Sequence, residues 1–222
     1  MPFNNSHTNP DKKSSQTFPI VVIGRQFGCG GREIGRLIAK RLNAGYYDKT
    51  LLSKTAQSLG FDISIFDSAD EKRPSWLRSL LSYSYGTESA GIEGLDIDNE
   101  GLYKLQSQVI RKLADEGPCV FVGRTADYIL RDYPNMLSIF LHAPVDVRCS
   151  NIVKRKDTDS ETHAASMARK MDNARQSFYS YYTNRKWGDA ATYHLSFDTS
   201  RFTPEQIAET ISAYFAQKLQ SK

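Results

Sequence analysis

Three glycines in four residues, Gly28-Cys29-Gly30-Gly31, lead into Arg32-Glu33 and then into apolar residues at helical spacing. Glycine lacks a Cβ, so backbone N–H groups in such a turn can close around an anion. The helix that follows aims further N–H groups and a partial positive charge at the same point. The chemistry this favours is phosphate binding. A strand-to-helix turn whose glycines serve packing alone is the plainer alternative, and three glycines in four positions weigh against it.

The standard phosphate-binding loop reads G-x-x-x-x-G-K-[ST], with its lysine on the β- and γ-phosphates and its hydroxyl on magnesium. With Gly30 as the second glycine, Arg25 stands at the first glycine, Gly31 at the lysine and Arg32 at the hydroxyl. The lysine is missing. Arg32 or Arg25 could supply positive charge, although a guanidinium is a planar fork and an ammonium a point charge. Glu33 or Asp48 could hold a metal. The rival dinucleotide pattern G-x-G-x-x-G, with an acid about 20 residues on, is met only by Gly28-x-Gly30-x-x-Glu33 and Asp48. Glu33 in place of the third glycine would crowd the contact between helix and strand.

A second chemical feature is Val122-Gly123-Arg124-Thr125-Ala126-Asp127, where an apolar run ends in glycine and arginine. Ligands of open α/β sheets gather at strand ends of this kind, and an arginine there can fork onto a phosphate. A third is charge. Between Arg148 and Gly188 there are nine Lys or Arg against four acids, a local excess of five that outweighs the net charge of +4 for the whole chain. Arg155, Arg169 and Arg175 in this stretch could meet developing phosphate charge, whereas a solvated helix face is the bland reading. Phe178, Tyr179, Tyr181, Tyr182 and Trp187 could stack a base, but aromatics beside helix ends more often serve the core. His142, His163 and His194 show no metal-ligand spacing.

The elements that must position these residues can be read from periodicity. Pro19 to Ile23 is a short β-branched run suited to a strand buried on both faces, and Ile34, Leu37, Ile38 and Leu42 recur at helical spacing. Tyr46-Tyr47-Asp48 ends a second strand, followed by a helix through Leu51, Leu52, Thr55 and Leu59. Leu102, Leu105, Val109 and Leu113 mark an amphipathic helix stopped by Gly117-Pro118, and Cys119 to Val122 is the next strand. Leu137 to Leu141 is a fourth strand, Pro144 opens a helix, and a long polar helix runs from about 160 to 182. Tyr193 to Phe197 is the last strand. Thr203-Pro204-Glu205-Gln206 carries the capping-box arrangement at the start of a closing helix that buries Ile207, Ile211 and Phe215. Strands alternating with helices predict a parallel, three-layer α/β fold.

The 222 residues suffice for one core, with residues 1–17 a polar tail, 18–222 one domain, an insert at about 61–101 and a lid-like region at about 155–188. At 40% hydrophobic and 24% charged the composition is that of an ordinary globular chain. No apolar run approaches the roughly 18 residues of a membrane helix, and the N-terminus lacks a signal-peptide core, so a cytoplasmic protein without a membrane partner is expected. Three cysteines without paired spacing, Cys29, Cys119 and Cys149, argue against disulfides and zinc.

Taken together, Ile23 to Gly35, Tyr46-Tyr47-Asp48-Lys49 and Phe121 to Leu130 resemble the cytidylate-kinase-like family of P-loop nucleoside monophosphate kinases. Ile139 to Pro144, Trp187-Gly188 and Phe197-Asp198-Thr199-Ser200 extend the resemblance through nearly all of residues 19 to 220. It implies a P-loop NTPase-type fold, a mostly parallel five-stranded sheet flanked by helices. It also implies phosphoryl transfer from ATP to a CMP- or dCMP-like acceptor, with Mg²⁺, under a closing lid. The loop Gly28, Cys29, Gly30, Gly31, Arg32 and Glu33 would then hold the ATP phosphates, and Asp48, Lys49 and Lys54 would border the monophosphate. Arg124 falls at the arginine of a Gly-Arg-Asp motif, with Asp127 beside it, and Asp198 matches an acid near the acceptor's sugar. Arg32, Arg124, Arg169 and Arg175 would stabilise the transferred charge. Thr125 stands where that motif's aspartate falls. A non-catalytic nucleotide-binding regulator of the same fold is the alternative, motivated by the missing lysine. A nucleic-acid partner ranks last, because acids interrupt the basic stretch, and either a monomer or a homodimer is compatible with the sequence.

Overall fold

The structure, a computed structural model, describes residues 18–51 and 99–220. Five parallel strands form one sheet in the order β2-β3-β1-β4-β5: β1 Ile20–Arg25, β2 Gly45–Tyr47, β3 Cys119–Val122, β4 Met136–His142 and β5 Leu195–Asp198. The helices between them are α1 Gly31–Arg41, α2 Asn99–Glu116, α3 Ala126–Ile129, α4 Val145–Lys154, α5 Glu161–Thr183 and α6 Pro204–Gln220. The predicted tail, the helix through Leu52, Thr55 and Leu59, Lys54 and all but the end of the predicted insert lie outside the described residues.

The sheet is buried on both faces because its central strands carry apolar residues at consecutive positions. On β1, Val21 and Ile23 pack with Ile34 and Ile38 of α1 and Ile207 and Ile211 of α6. Ile20 and Val22 point the other way, toward Val109, Ile110 and Leu113 of α2 and Ile129 of α3. Each fully buried aliphatic side chain is worth about 1.5–3 kcal/mol relative to exposure. A third cluster joins Cys149 and Ile152 of α4 to Ala164, Met167, Ala168 and Met171 of α5, with Phe27 of the glycine turn among them.

Two local expectations are met in detail. Thr203 and Gln206 cap α6 reciprocally, with the Thr203 N–H donating to Gln206 Oε1 at 2.9 Å and the Gln206 N–H donating to Thr203 Oγ1 at 3.3 Å. Pro144 is the N-cap of α4, one position before its first turn. The short α3 and the 3₁₀ turn at Ala190–Thr192 were not anticipated from periodicity. They are too short to show one.

What matters for the site is the pairing of β1 with β3. Ile23 sits opposite Val122, and the Gly123 N–H donates to the Ile23 carbonyl at 3.0 Å. The glycine turn after β1 and the Gly-Arg turn after β3 therefore leave the sheet side by side at its carboxyl edge, where open α/β sheets bind ligands.

Candidate functional site: two turns on one cleft

Both turns open on a cleft of about 460 Å³. On its first side Gly28 (φ 92°) and Gly30 (φ 69°) take left-handed backbone that a side chain would resist, and Gly30 is the N-cap of α1. The first N–H groups of a helix have no partner within it, and the first residues of α1 line the cleft, an arrangement that can receive an anion.

Side chains from α4 and α5 hold this turn from outside. The Phe27 N–H donates to Asp172 Oδ1 at 2.7 Å, and Asn151 Nδ2 donates to the Gly28 carbonyl at 3.0 Å. Arg148 Nη1 donates to Asp172 Oδ2 at 2.6 Å and to the Phe27 carbonyl at 3.3 Å. Arg175 Nη1 donates to the Arg25 carbonyl at 2.9 Å. Phe27 lies beneath two guanidinium groups, those of Arg155 at 5.2 Å and Arg175 at 5.5 Å from its ring. The long basic helix thus enters the site as a brace on the glycine turn.

The cleft is cationic and partly dry. Burial, helped by the neighbouring charge of Arg32, pulls Arg25 down to about 10. Burial first, and Arg25 second, pull Arg175 well below the ordinary arginine value. Both effects mark positive charge held short of water, an environment that rewards an incoming anion. Arg32 lies farther out, with 63% of its side chain exposed and its Nε 3.6 Å from Asp48 Oδ2. Asp48 Oδ1 meanwhile accepts the Thr50 and Leu51 N–H groups, both at 3.1 Å.

The second side of the cleft is built differently. Gly123 (φ 80°), Arg124 (φ 63°) and Thr125 (φ 52°) are all left-handed, a conformation costing about 1–2 kcal/mol for each non-glycine residue. Side chains of α2 hold them there. Gln106 Nε2 donates to the Arg124 carbonyl at 3.2 Å, and Arg124 Nη1 lies 3.4 Å from Gln106 Oε1. The Tyr103 and Thr125 hydroxyls are 3.0 Å apart. Behind Arg124, the buried Asp127 accepts from the Tyr179 hydroxyl at 2.5 Å. Burial pushes the Asp127 carboxyl up, against the pull of that hydrogen bond. Burial and then Asp127 push the Tyr179 phenol up as well.

Of the residues expected from the sequence, Gly28, Cys29, Gly30, Gly31, Arg32, Glu33, Asp48, Lys49, Arg124, Asp127 and Arg175 line this one cleft. Arg169 and Asp198 are not among its lining residues. Arg169 falls on the exposed face of α5, opposite the row Ala164, Met167, Ala168 and Met171 that packs inward. The Asp198 carboxylate turns onto the Ser200 N–H at 2.9 Å and hydroxyl at 2.7 Å, which together hold it below the usual carboxylate range. Of the aromatics, Phe178, Tyr179 and Trp187 reach the cleft, joined by Tyr193. Tyr182 instead stacks on Tyr103 at 3.9 Å, and Tyr181 is exposed.

Among the contributors that the sequence did not single out are Gln106, Arg148, Asp172 and Tyr193. Gln106 had a legible signal, a polar residue inside the apolar stripe of α2. Asp172, an acid within a stretch dominated by basic residues, had a fainter one. Arg148 and Tyr193 gave none.

Among the described residues no group of three or more His, Cys, Asp or Glu is arranged to hold a metal ion, and no helix is long and apolar enough to cross a membrane. The cysteines are buried free thiols, with burial raising Cys29 to about 11 and Cys119 to about 12.

Comparison with known proteins agrees with this architecture. A cytidylate kinase of Methanocaldococcus jannaschii is 24% identical over 201 residues, spanning 87% of this chain and 96% of the relative. A solved structure of an uncharacterized protein from Eubacterium ventriosum is 27% identical with a TM-score of 0.65, covering 90% of this chain and 98% of that one. A gluconokinase from Sinorhizobium meliloti, at 14% identity and a TM-score of 0.51, covers 92% of this chain and 97% of that chain, and shares the fold. The model of the cytidylate kinase-like family matches residues 20–201, which takes in both turns and the sheet that sets them side by side, and the chain belongs to that family.

Proposed function

We propose that this protein is an ATP-dependent phosphotransferase whose acceptor is a nucleoside monophosphate of the CMP or dCMP kind, or a related small molecule. The observation that carries the reading is the convergence of two anion-directed turns on one cleft of about 460 Å³. A site of that size suits a small-molecule ligand. The glycine turn and the N-terminus of α1 would take the donor phosphates, and Arg124 would fork onto the acceptor phosphate. Arg175 and Arg32 would offset the charge that builds on the transferring group, the main demand of phosphoryl transfer. Lys49 and Asp48 would border the acceptor, with Asp127 and Tyr179 forming the wall behind it.

Glu33 and Asp48 are the residues that would hold magnesium, which would supply positive charge at the phosphates. The donor set suits it, because this ion is usually held by one or two carboxylates together with substrate phosphates. Glu33, in the first turn of α1 and lining the cleft, is the better placed candidate. Asp48 already serves two backbone N–H groups and Arg32.

A specific observation favours a second reading, nucleotide binding without turnover: Gly31 stands where the standard loop has its lysine. ADP release measured with CMP, dCMP, UMP and other acceptors tests the first reading. Calorimetry with ATP and with CMP separates the two, since binding without ADP release supports the second and no binding to either removes both.

A further inference from the structure

We propose that Arg25 is the phosphate-binding cation of this loop, glycine and cation having exchanged places between its first position and its lysine position. This rests on the reading of the cleft as a phosphate site and deepens it.

In the frame set by Gly30, position 25 should be glycine and position 31 lysine; here they are Arg25 and Gly31. The geometry ties the two together. A Cβ built on Gly31 would lie 2.9 Å from Arg25 Cγ and 3.3 Å from Arg25 Cβ. The aliphatic stem of Arg25 thus fills the space from which a lysine at position 31 would start. At its far end Arg25 Nη1 lies against Gly123, leaving no room for a side chain there. The side chain therefore runs from the N-terminus of α1 to the turn that carries Arg124, along the boundary between the two halves of the cleft. Two glycines, one in each turn, make room for it.

The surroundings favour Arg25 over Arg32 in this role. Arg32 leans outward onto Asp48, Arg175 lies 3.8 Å from Asp172, and Arg155 pairs with Asp157 at 2.7 Å. Arg25 makes no ion pair with any described residue, although it is largely buried and lines the cleft. Its backbone is fixed by Arg175, which donates to its carbonyl. A fixed, partly desolvated guanidinium without an ion-pair partner among the described residues suits the fork-like recognition of phosphate oxygens. The ligand class is a di- or triphosphate, inorganic or carried by a nucleotide.

The test is calorimetric titration of the full chain with inorganic pyrophosphate and with ATP. Four variants are compared with wild type: Arg25→Met, which keeps the stem and removes the charge, Arg25→Lys, Gly31→Lys and the double variant Arg25→Gly/Gly31→Lys. Thermal melts confirm that each is folded. Arg25→Met is expected to weaken both ligands about 10- to 100-fold, the worth of a charge-assisted hydrogen bond. Arg25→Lys should recover part of the loss. Gly31→Lys alone should also bind poorly, because its stem meets that of Arg25, and the double variant should bind at least about tenfold better than it.

Unchanged or tighter pyrophosphate binding by Arg25→Met would overturn the proposal by showing that the side chain merely plugs the loop. A double variant no better than Gly31→Lys would overturn the exchange. If the wild type turns over ATP while Arg25→Met binds pyrophosphate normally, the kinase reading stands and this one falls. If the wild type binds neither ligand, both fall.

Discussion

The two turns on the cleft reach similar backbone shapes by opposite means. After β1 the left-handed positions are glycines, so the shape costs little and the backbone stays open to an anion. After β3 two of the three left-handed residues are Arg124 and Thr125, held against their preference by Gln106 and Tyr103 of α2. The first turn is braced by charge from α4 and α5, the second by neutral hydrogen bonds from α2. In the proposed function the first would offer main-chain N–H groups and the second would present one side chain, that of Arg124. Strained backbone of this kind clusters at functional sites, in keeping with the role proposed for Arg124.

The largest effect should come from cutting the brace. Asp172→Ala leaves Arg148 buried without its carboxylate and the Phe27 N–H without its acceptor, and should destabilise the protein by about 3–5 kcal/mol. Urea unfolding measures this. A loss under about 1 kcal/mol would show that the glycine turn does not depend on charge from α4 and α5.

Next comes the second turn. Arg124→Ala should lower kcat/KM for the acceptor by about 3–4 kcal/mol, the usual worth of a preorganised charge donor, while ATP binding measured by calorimetry changes little. Equal losses at donor and acceptor would erase the division of labour between the turns. Arg32→Ala sharpens the same comparison. If Arg32 stands in for the missing lysine its removal should cost about 3–4 kcal/mol in kcat/KM, and a far smaller cost would leave the role to Arg25.

A smaller effect concerns the wall behind Arg124. Burial raises the Asp127 carboxyl above its unfolded value of about 3.9. The folded state then keeps a proton that the unfolded chain has lost. This contribution is fully present below the unfolded value and is lost as pH rises through the folded one. Asp127→Asn should flatten that part of the stability curve, as read from denaturant unfolding at several pH values above about 4, and an unaltered slope would remove Asp127 from the account. Smallest of all, Arg124→Gly should release left-handed strain and raise stability by about 1 kcal/mol or less while abolishing acceptor turnover. Lower stability in this variant would mean that α2 holds Arg124 by more than it costs.

The same contrast explains what could be read from the sequence. β1 and β3 were legible because consecutive β-branched or apolar residues suit only a strand covered on both faces, and the glycine turn because its residue types reveal its backbone. α6 declared itself through Thr203 and Gln206. The left-handed shape of the second turn was legible at Gly123 alone, since nothing in Arg124 or Thr125 as residue types announces it. Arg169 and Arg175 lie on one helix and looked equivalent in composition. Packing separates them: Arg175 follows the inward row of Ala168 and Met171, and Arg169 lies off it. The path of Arg25 was beyond reach, because it depends on Gly31 and on Gly123, nearly one hundred residues apart in sequence.

The central claim is that both turns serve a single transfer across one cleft. Acceptor-dependent ADP release by the wild-type chain, with ATP and Mg²⁺ and a panel of nucleoside monophosphates, tests it most directly. The account predicts ADP formation that rises with at least one pyrimidine monophosphate and falls to background without it. ADP release indifferent to every acceptor, or none at all, would contradict it.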